Sequence, residues 1–315
     1  MKILNLVNQE RGHIKYKISK FPDGQQNITI LSVPYEFRKS THIQALIGVQ
    51  DSVQIKSRLN NWLDLELIIA TVACLKELGI KEIHLFVPYF IGARSDRKFE
   101  EGGNWYLKQV ICPIINTLQF DSIIVLDAHS SVLGNLLNNY KAVDNKELVD
   151  FALKNITKLS EQNNQNYEEN GFILVSPDAG AAHKINKLAE NIGYKRDIII
   201  CSKERDTEGK LTKTVVFIHD DENTNKDFII VDDICDGGRT FINIAKEIKN
   251  YYGHEDFNGY QPKIYLVITH GIFSAGFKEL SQYFDGIFCT NSYKDVGDYA
   301  GNEQEKTNTV QLNVF

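Results

Sequence analysis

The chain has 315 residues, 43% of them hydrophobic and 24% charged, with a net charge of -6 and a pI near 5.8. That length suits two domains of about 150 residues each rather than one small core. An acidic surface gives no general attraction to nucleic acid or to anionic membranes, and no apolar run approaches the ~20 residues that cross a bilayer.

The first segment, M-K-I-L-N-L-V-N-Q-E-R-G-H, has too short an apolar stretch for a signal-peptide core. The reading is a soluble, cytoplasmic protein with no nucleic-acid or membrane partner. Apolar runs of strand length then recur at 28–33, 83–87, 123–126, 172–175, 198–201, 228–231, 264–268 and 286–289. Continuous Val- and Ile-rich runs suit strands covered on both faces, as in parallel sheets. Between them, Leu65, Ile68, Val72 and Leu75 recur at spacings of three and four within 60–79, which predicts a helix stopped by Gly79. Further helices are expected after Gly180 and after Arg239. Three polar stretches, 160–170, 220–226 and 250–261, read as exposed connectors. Cys74, Cys112, Cys201, Cys235 and Cys289 form no C-x-x-C pair and fall mostly in apolar stretches, so buried free thiols are expected. The strand–helix alternation occurs in the first half and again after about residue 145, which predicts two α/β domains with mostly parallel sheets.

The strongest local signal is I-I-V-D-D-I-C-D-G-G-R-T at 229–240. A buried strand runs into Asp232 and Asp233, then Asp236, Gly237, Gly238, Arg239 and Thr240. In open α/β sheets ligands bind beyond the C-terminal strand ends. Glycines let backbone N–H groups approach a phosphate, and a helix N-terminus favours an anion. Asp232 and Asp233 could hold ribose hydroxyls or a metal; the bland alternative is an acidic turn with a helix cap. Arg94, Arg97 and Lys98, with Ser95 and Asp96 among them, make a dense basic loop just past a strand end on an acidic protein, suited to nucleotide phosphates. His129 and Asp178 also follow strands, where a structural role is the ordinary one. Lys203 and Arg205 follow the 198–201 strand, two residues apart and hence on one side by strand alternation.

Together these pieces resemble the ribose-phosphate pyrophosphokinase family. The matching motifs run in the family's order: F-P-D-G-Q at 21–25, P-Y-F-I-G-A-R-S-D-R-K at 88–98, D-A-H at 127–129, V-S-P-D-A-G at 175–180, S-K-E-R at 202–205, the 229–240 loop, and T-H-G-I-F-S at 269–274. The resemblance covers nearly the whole chain. It implies two phosphoribosyltransferase-like domains, 1–142 and 143–290, with 291–315 returning to the first. It implies transfer of the β,γ-diphosphate of Mg-ATP to the anomeric hydroxyl of ribose 5-phosphate, giving phosphoribosyl pyrophosphate and AMP.

Residue by residue, the resemblance implies catalytic roles for Lys203 and Arg205. It places Phe21, Asp23, Gln25, Arg94, Ser95, Asp96 and Arg97 on ATP, His129 and Asp178 on the Mg-ATP complex, and Asp232, Asp233, Asp236, Gly237, Gly238, Arg239 and Thr240 on the sugar phosphate. ATP is expected between the domains, with Phe21 donated by a neighbouring subunit, so a dimer-based homo-oligomer, commonly a hexamer, is implied. The chain departs from the family at three places. Gln25 stands where Glu is common. The loop D-G-G-R-T at 236–240 replaces the usual D-T-G-G-T, and strain at Arg239 is expected to alter its shape. F-E-E-G-G-N-W-Y at 99–106 replaces a Pro-Ile-rich run, leaving Trp105 and Tyr106 either to stack on a base or to join the core. These departures raise ADP-ribose as an alternative acceptor, used by a phage-borne branch that supports NAD resynthesis. A type I phosphoribosyltransferase and a non-catalytic regulatory homologue are the other rival readings.

Overall fold

The computed structural model describes residues 1–31, 52–162, 171–205, 211–216, 226–253, 260–299 and 308–315, with the side chains at 159–162, 203–205 and 211–214 outside that description. The chain forms two compact units, Met1–Val143 with Val314–Phe315, and Asp144–Asn313.

The first unit is built on a five-stranded parallel sheet. Its elements in chain order are β1 (Lys2–Asn5), the hairpin β2 (Lys15–Lys20) and β3 (Gln26–Leu31), β4 (Val53–Lys56), α1 (Trp62–Glu77) and β5 (Ile83–Phe86). A π-helical turn (Leu107–Ile111) follows and runs into α2 (Cys112–Thr117), then β6 (Ser122–Leu126), α3 (Val132–Leu136) and β7 (Tyr140–Val143). The sheet order is β1-β4-β5-β6-β7, every pair parallel. The α1 helix starts where Asn61 accepts hydrogen bonds from the backbone N–H groups of Leu63 and Asp64, and it buries Leu65, Ile68, Val72 and Leu75. The four residues that set the helical period are thus the ones driven into the core. The run at 28–33 behaves differently from expectation as far as it is described. Ile28 and Ile30 are buried, Thr29 and Leu31 are exposed, and β3 pairs antiparallel with β2. A strand covered on one face alternates, and its apolar residues alone do not reveal which sheet it joins.

The second unit carries α4 (Lys146–Gln162), β8 (Phe172–Ser176), α5 (Ala182–Ile192), β9 (Ile199–Ile200) and the hairpin β10 (Ser202–Arg205) and β11 (Leu211–Val215). Then come β12 (Asp227–Cys235), α6 (Arg239–Tyr252), β13 (Ile264–Gly271), α7 (Leu280–Tyr283), β14 (Gly286–Thr290) and β15 (Thr309–Leu312). Six parallel strands lie in the order β15-β14-β13-β12-β8-β9. Strand alternation divides β12 between two cores. Phe228 and Ile230 pack with Phe241, Ile244 and Ile248 of α6, while Ile229 and Val231 pack with Ile185 and Leu188 of α5. Burial on both faces is what made the strand read as a continuous apolar run.

Two expectations are corrected here. Residues 291–299 and 308–313 belong to the second unit, because β15 adds to its sheet edge through a parallel ladder with β14, from Ile287↔Thr309 to Thr290↔Leu312. Only Val314 and Phe315 join the first unit, where the Phe315 ring meets Phe86 edge-on and its carbonyl accepts from Arg11 at 3.3 Å. Two of the three polar connectors also begin later than their composition suggests. The α4 helix runs to Gln162 and α6 to Tyr252, whereas 163–170, 220–225 and 254–259 lie outside the described residues. All five cysteines are free. Burial pushes the Cys112 and Cys289 thiols up to about 12, so neither forms a ready thiolate nucleophile. No helix among the described residues is long and apolar enough to cross a membrane.

Candidate active site

Three successive loops at the C-terminal edge of the second sheet carry its acidic and glycine-rich residues. After β8, the Ser176 hydroxyl donates to the Asp178 carbonyl at 2.9 Å, and the Ala181 N–H donates to the Asp178 carboxylate at 3.1 Å. This turn leads Asp178 into α5. On β12 the Asp233 N–H donates to the Asp232 carboxylate at 2.9 Å. Asp233 is 5% exposed, and its carboxylate meets the Lys184 ammonium of α5 at 2.8 Å. Burial raises the Asp232 carboxyl well above its ordinary value, with the charge of Asp233 adding to the rise and that of Asp178 adding further. Asp178, Asp232 and Asp233 therefore act electrostatically as one acidic edge.

The glycine loop that follows is held by the turn after β13. The Cys235 carbonyl accepts from the N–H groups of Ile272 and Phe273 at 2.8 and 3.1 Å, and the Asp236 carbonyl accepts from the Ser274 N–H at 3.1 Å. The Ser274 hydroxyl donates to the Asp236 carboxylate at 2.6 Å. Phe273 pays for this turn with a left-handed backbone, φ +44°. Gly238 is left-handed as well, φ +81°, and a Cβ there would lie 2.9 Å from Leu280 Cδ2. It precedes α6, whose first turn has no side-chain cap. Gly237 and Arg239 are exposed at the mouth of this turn. Uncapped N–H groups at the start of a fourteen-residue helix are a suitable seat for a phosphate.

In the first unit the basic loop follows β5. Tyr89, Phe90, Ile91 and Ala93 are buried and anchor it, while Arg94, Arg97 and Lys98 are exposed and Ser95 and Asp96 half-buried. Its turn is closed by N–H groups of Ala93 and Ser95 donating to the carbonyls of Phe90 and Gly92, at 3.0 and 2.7 Å. Gly92, φ +73°, gives way to the Tyr106 ring, which would lie 2.6 Å from a Cβ at that position. Trp105 and Tyr106 are half-buried and pack against the first unit's core. The Arg97 guanidinium lies over the Phe99 ring at 5.6 Å. At the end of the neighbouring β6, Asp127 is left-handed, φ +42°, with its N–H donating to the Val143 carbonyl at 2.7 Å. His129 is exposed two residues later. Phe21, Asp23 and Gln25 are exposed at the β2–β3 turn, where the Gln25 N–H donates to the Asp23 carboxylate at 3.2 Å.

The backbone of Lys203 and Arg205 lies in β10, paired antiparallel with β11, rather than in a loop. The register slips between Glu204 and Arg205, which pair with Lys213 and Leu211. Their side chains lie outside the description. Lys184 is a member of the acidic edge that sequence reasoning did not single out. Its partner Asp233 is 49 residues away, so no local spacing could have joined them. Ser274 lies within the 269–274 motif, and its partner Asp236 is likewise distant, 38 residues away in the chain.

Residues 144–256 match the phosphoribosyl transferase domain family. The chain is 31% identical over 235 residues to the ribose-phosphate pyrophosphokinase of Mycoplasmopsis pulmonis, covering 74% of this chain and 65% of that protein. A Pyrococcus furiosus protein of the same name is 25% identical over 279 residues, 88% of this chain and 85% of its own length. Over most of its length the chain is similar to the ribose-phosphate pyrophosphokinase family. A solved structure, phosphoribosylpyrophosphate synthetase from Mycobacterium smegmatis, shares the fold with a TM-score of 0.66 at 16% identity, covering 96% of this chain and 86% of that one. One expected strain is absent. Arg239 opens α6, and positive φ falls on Gly238, so replacing the family's second glycine by arginine requires no unusual backbone at 239.

Proposed function

We propose that the protein transfers the β,γ-diphosphate of ATP to the anomeric hydroxyl of ribose 5-phosphate, releasing AMP and phosphoribosyl pyrophosphate. The observation that carries this reading is the Asp232–Thr240 segment. It sets a desolvated acid pair, a left-handed glycine and an uncapped helix start in sequence at the C-terminal edge of a parallel sheet. Carboxylates there suit the ribose 2- and 3-hydroxyls, and the Gly237–Thr240 turn suits the 5-phosphate. The relatives' names speak for ribose phosphate as acceptor in preference to ADP-ribose.

Roles for the remaining residues follow the family resemblance. Arg94, Ser95, Asp96 and Arg97 bind ATP phosphates, with Phe21, Asp23 and Gln25 on adenine, in a homo-oligomer. Lys203 and Arg205 stabilise charge as it moves toward departing AMP. Diphosphate transfer of this kind depends on positioning and charge neutralisation more than on a strong base.

Magnesium fits the donors present. Among the described residues no group of three or more His, Cys, Asp or Glu side chains is placed to hold a metal. Mg²⁺ needs only one or two carboxylates when phosphates and water complete its shell. By the family resemblance the candidates are His129 in the first unit and Asp178 in the second, each taken by itself, and the ion would supply charge neutralisation on the ATP phosphates.

The test is incubation with Mg-ATP and either ribose 5-phosphate or ADP-ribose, with AMP quantified and the sugar product followed by phosphorus NMR. AMP and a new anomeric diphosphate from ribose 5-phosphate are expected. AMP from ADP-ribose alone would overturn the acceptor, and no AMP with either would overturn the activity.

A further inference from the structure

The Lys184–Asp233 pair does more than neutralise a buried acid. Alternation along β12 turns Asp233 toward the α5 face, the side on which Ile229 and Val231 pack, and away from the α6 face. Lys184 sits on α5, six residues beyond Asp178, and reaches Asp233 at 2.8 Å with its own side chain about one-third exposed. The contact therefore ties the helix that carries the Asp178 turn to the strand that carries Asp232. Asp233 in turn donates its backbone N–H to the Asp232 carboxylate at 2.9 Å. One ammonium thus bridges the helix that follows Asp178 and the strand end that carries Asp232 and Asp233.

We propose that Lys184 is a positioning residue of the acceptor site, holding Asp233, and through it Asp232, in the arrangement that receives the ribose hydroxyls. This rests on the functional reading above. In this reading Lys184 acts through Asp233 rather than on phosphate or sugar. Its loss removes the 2.8 Å ammonium contact from a buried carboxylate, and the strand end is expected to shift or take up water in response.

The test is a double-mutant cycle on the full-length protein, reading KM for ribose 5-phosphate, KM for ATP and kcat separately, with thermal midpoints as a check on folding. Lys184→Met and Lys184→Gln are expected to raise the ribose 5-phosphate KM at least tenfold and to leave the ATP KM and kcat within threefold. Lys184→Arg, which keeps a charged donor, is expected to recover most of the loss. Adding Lys184→Met to Asp233→Asn should change the acceptor KM less than twofold further, because Lys184 acts through Asp233. This last comparison holds even where the Lys184→Met single variant folds poorly, since its background carries no buried charge at 233. Wild-type protein that makes no AMP from ATP and ribose 5-phosphate overturns the functional reading, and the inference with it. An active wild type overturns the inference alone if folded Lys184→Gln keeps its acceptor KM, or if the two substitutions prove additive.

Discussion

The two adjacent glycines of the phosphate turn are expected to respond very unequally to the same substitution. Gly238 is left-handed, φ +81°, and a Cβ there would lie 2.9 Å from Leu280 Cδ2 and 3.3 Å from its Cγ. Leu280 is 1% exposed, so it has no open space to swing into. A left-handed non-glycine residue costs about 1–2 kcal/mol, and forcing a methyl into a packed core costs about 1–3 kcal/mol. Gly238→Ala should therefore destabilise the protein by about 2–5 kcal/mol. At Gly237 the nearest neighbour of an added Cβ is Ser274 Oγ at 3.7 Å, and no positive φ is required. Gly237→Ala should change stability by less than about 1 kcal/mol, with the reduced freedom of the unfolded chain acting in its favour. Urea unfolding followed by circular dichroism measures both, and the acceptor KM reports on the turn itself. Similar losses for the two variants would refute the assignment of strain to Gly238.

Gly92→Ala should distort the basic loop, because Tyr106 Cδ1 lies 2.6 Å from the new methyl and φ is +73°; a shifted fluorescence of the neighbouring Trp105 and a raised ATP KM are the expected readouts. Asp232→Asn should abolish acceptor binding yet raise the thermal midpoint near neutral pH. A carboxyl whose folded pKa is raised stabilises the fold below its unfolded value, near 4, and loses that contribution as pH rises through the folded value. The advantage of the Asn variant should therefore vanish toward pH 4, and a constant difference across pH would contradict it. Lys203→Ala should lower kcat by about 10²-fold or more with both KM values little changed, and wild-type turnover would sink its catalytic role.

The sequence by itself carried the α/β class, the main strands of the two sheets and the chemistry-bearing motifs. The 228–231 run was legible as a strand because both faces of β12 are buried, and α1 because its core contacts repeat at the helical period. The short strands β1, β4 and β7 escaped notice. Each is four residues long and mixes polar with apolar residues, so that its place is fixed by ladders to neighbours rather than by its own pattern. Only the tertiary structure decided where 309–312 belongs, since β15 is an edge strand defined by its pairing with β14. The pairing of Lys184 with Asp233 was likewise decided there, through strand alternation and helix placement over 49 residues of chain. So was the distinction between Gly237 and Gly238. Two identical letters differ only because Leu280 packs against one of them and the backbone enters α6 through it.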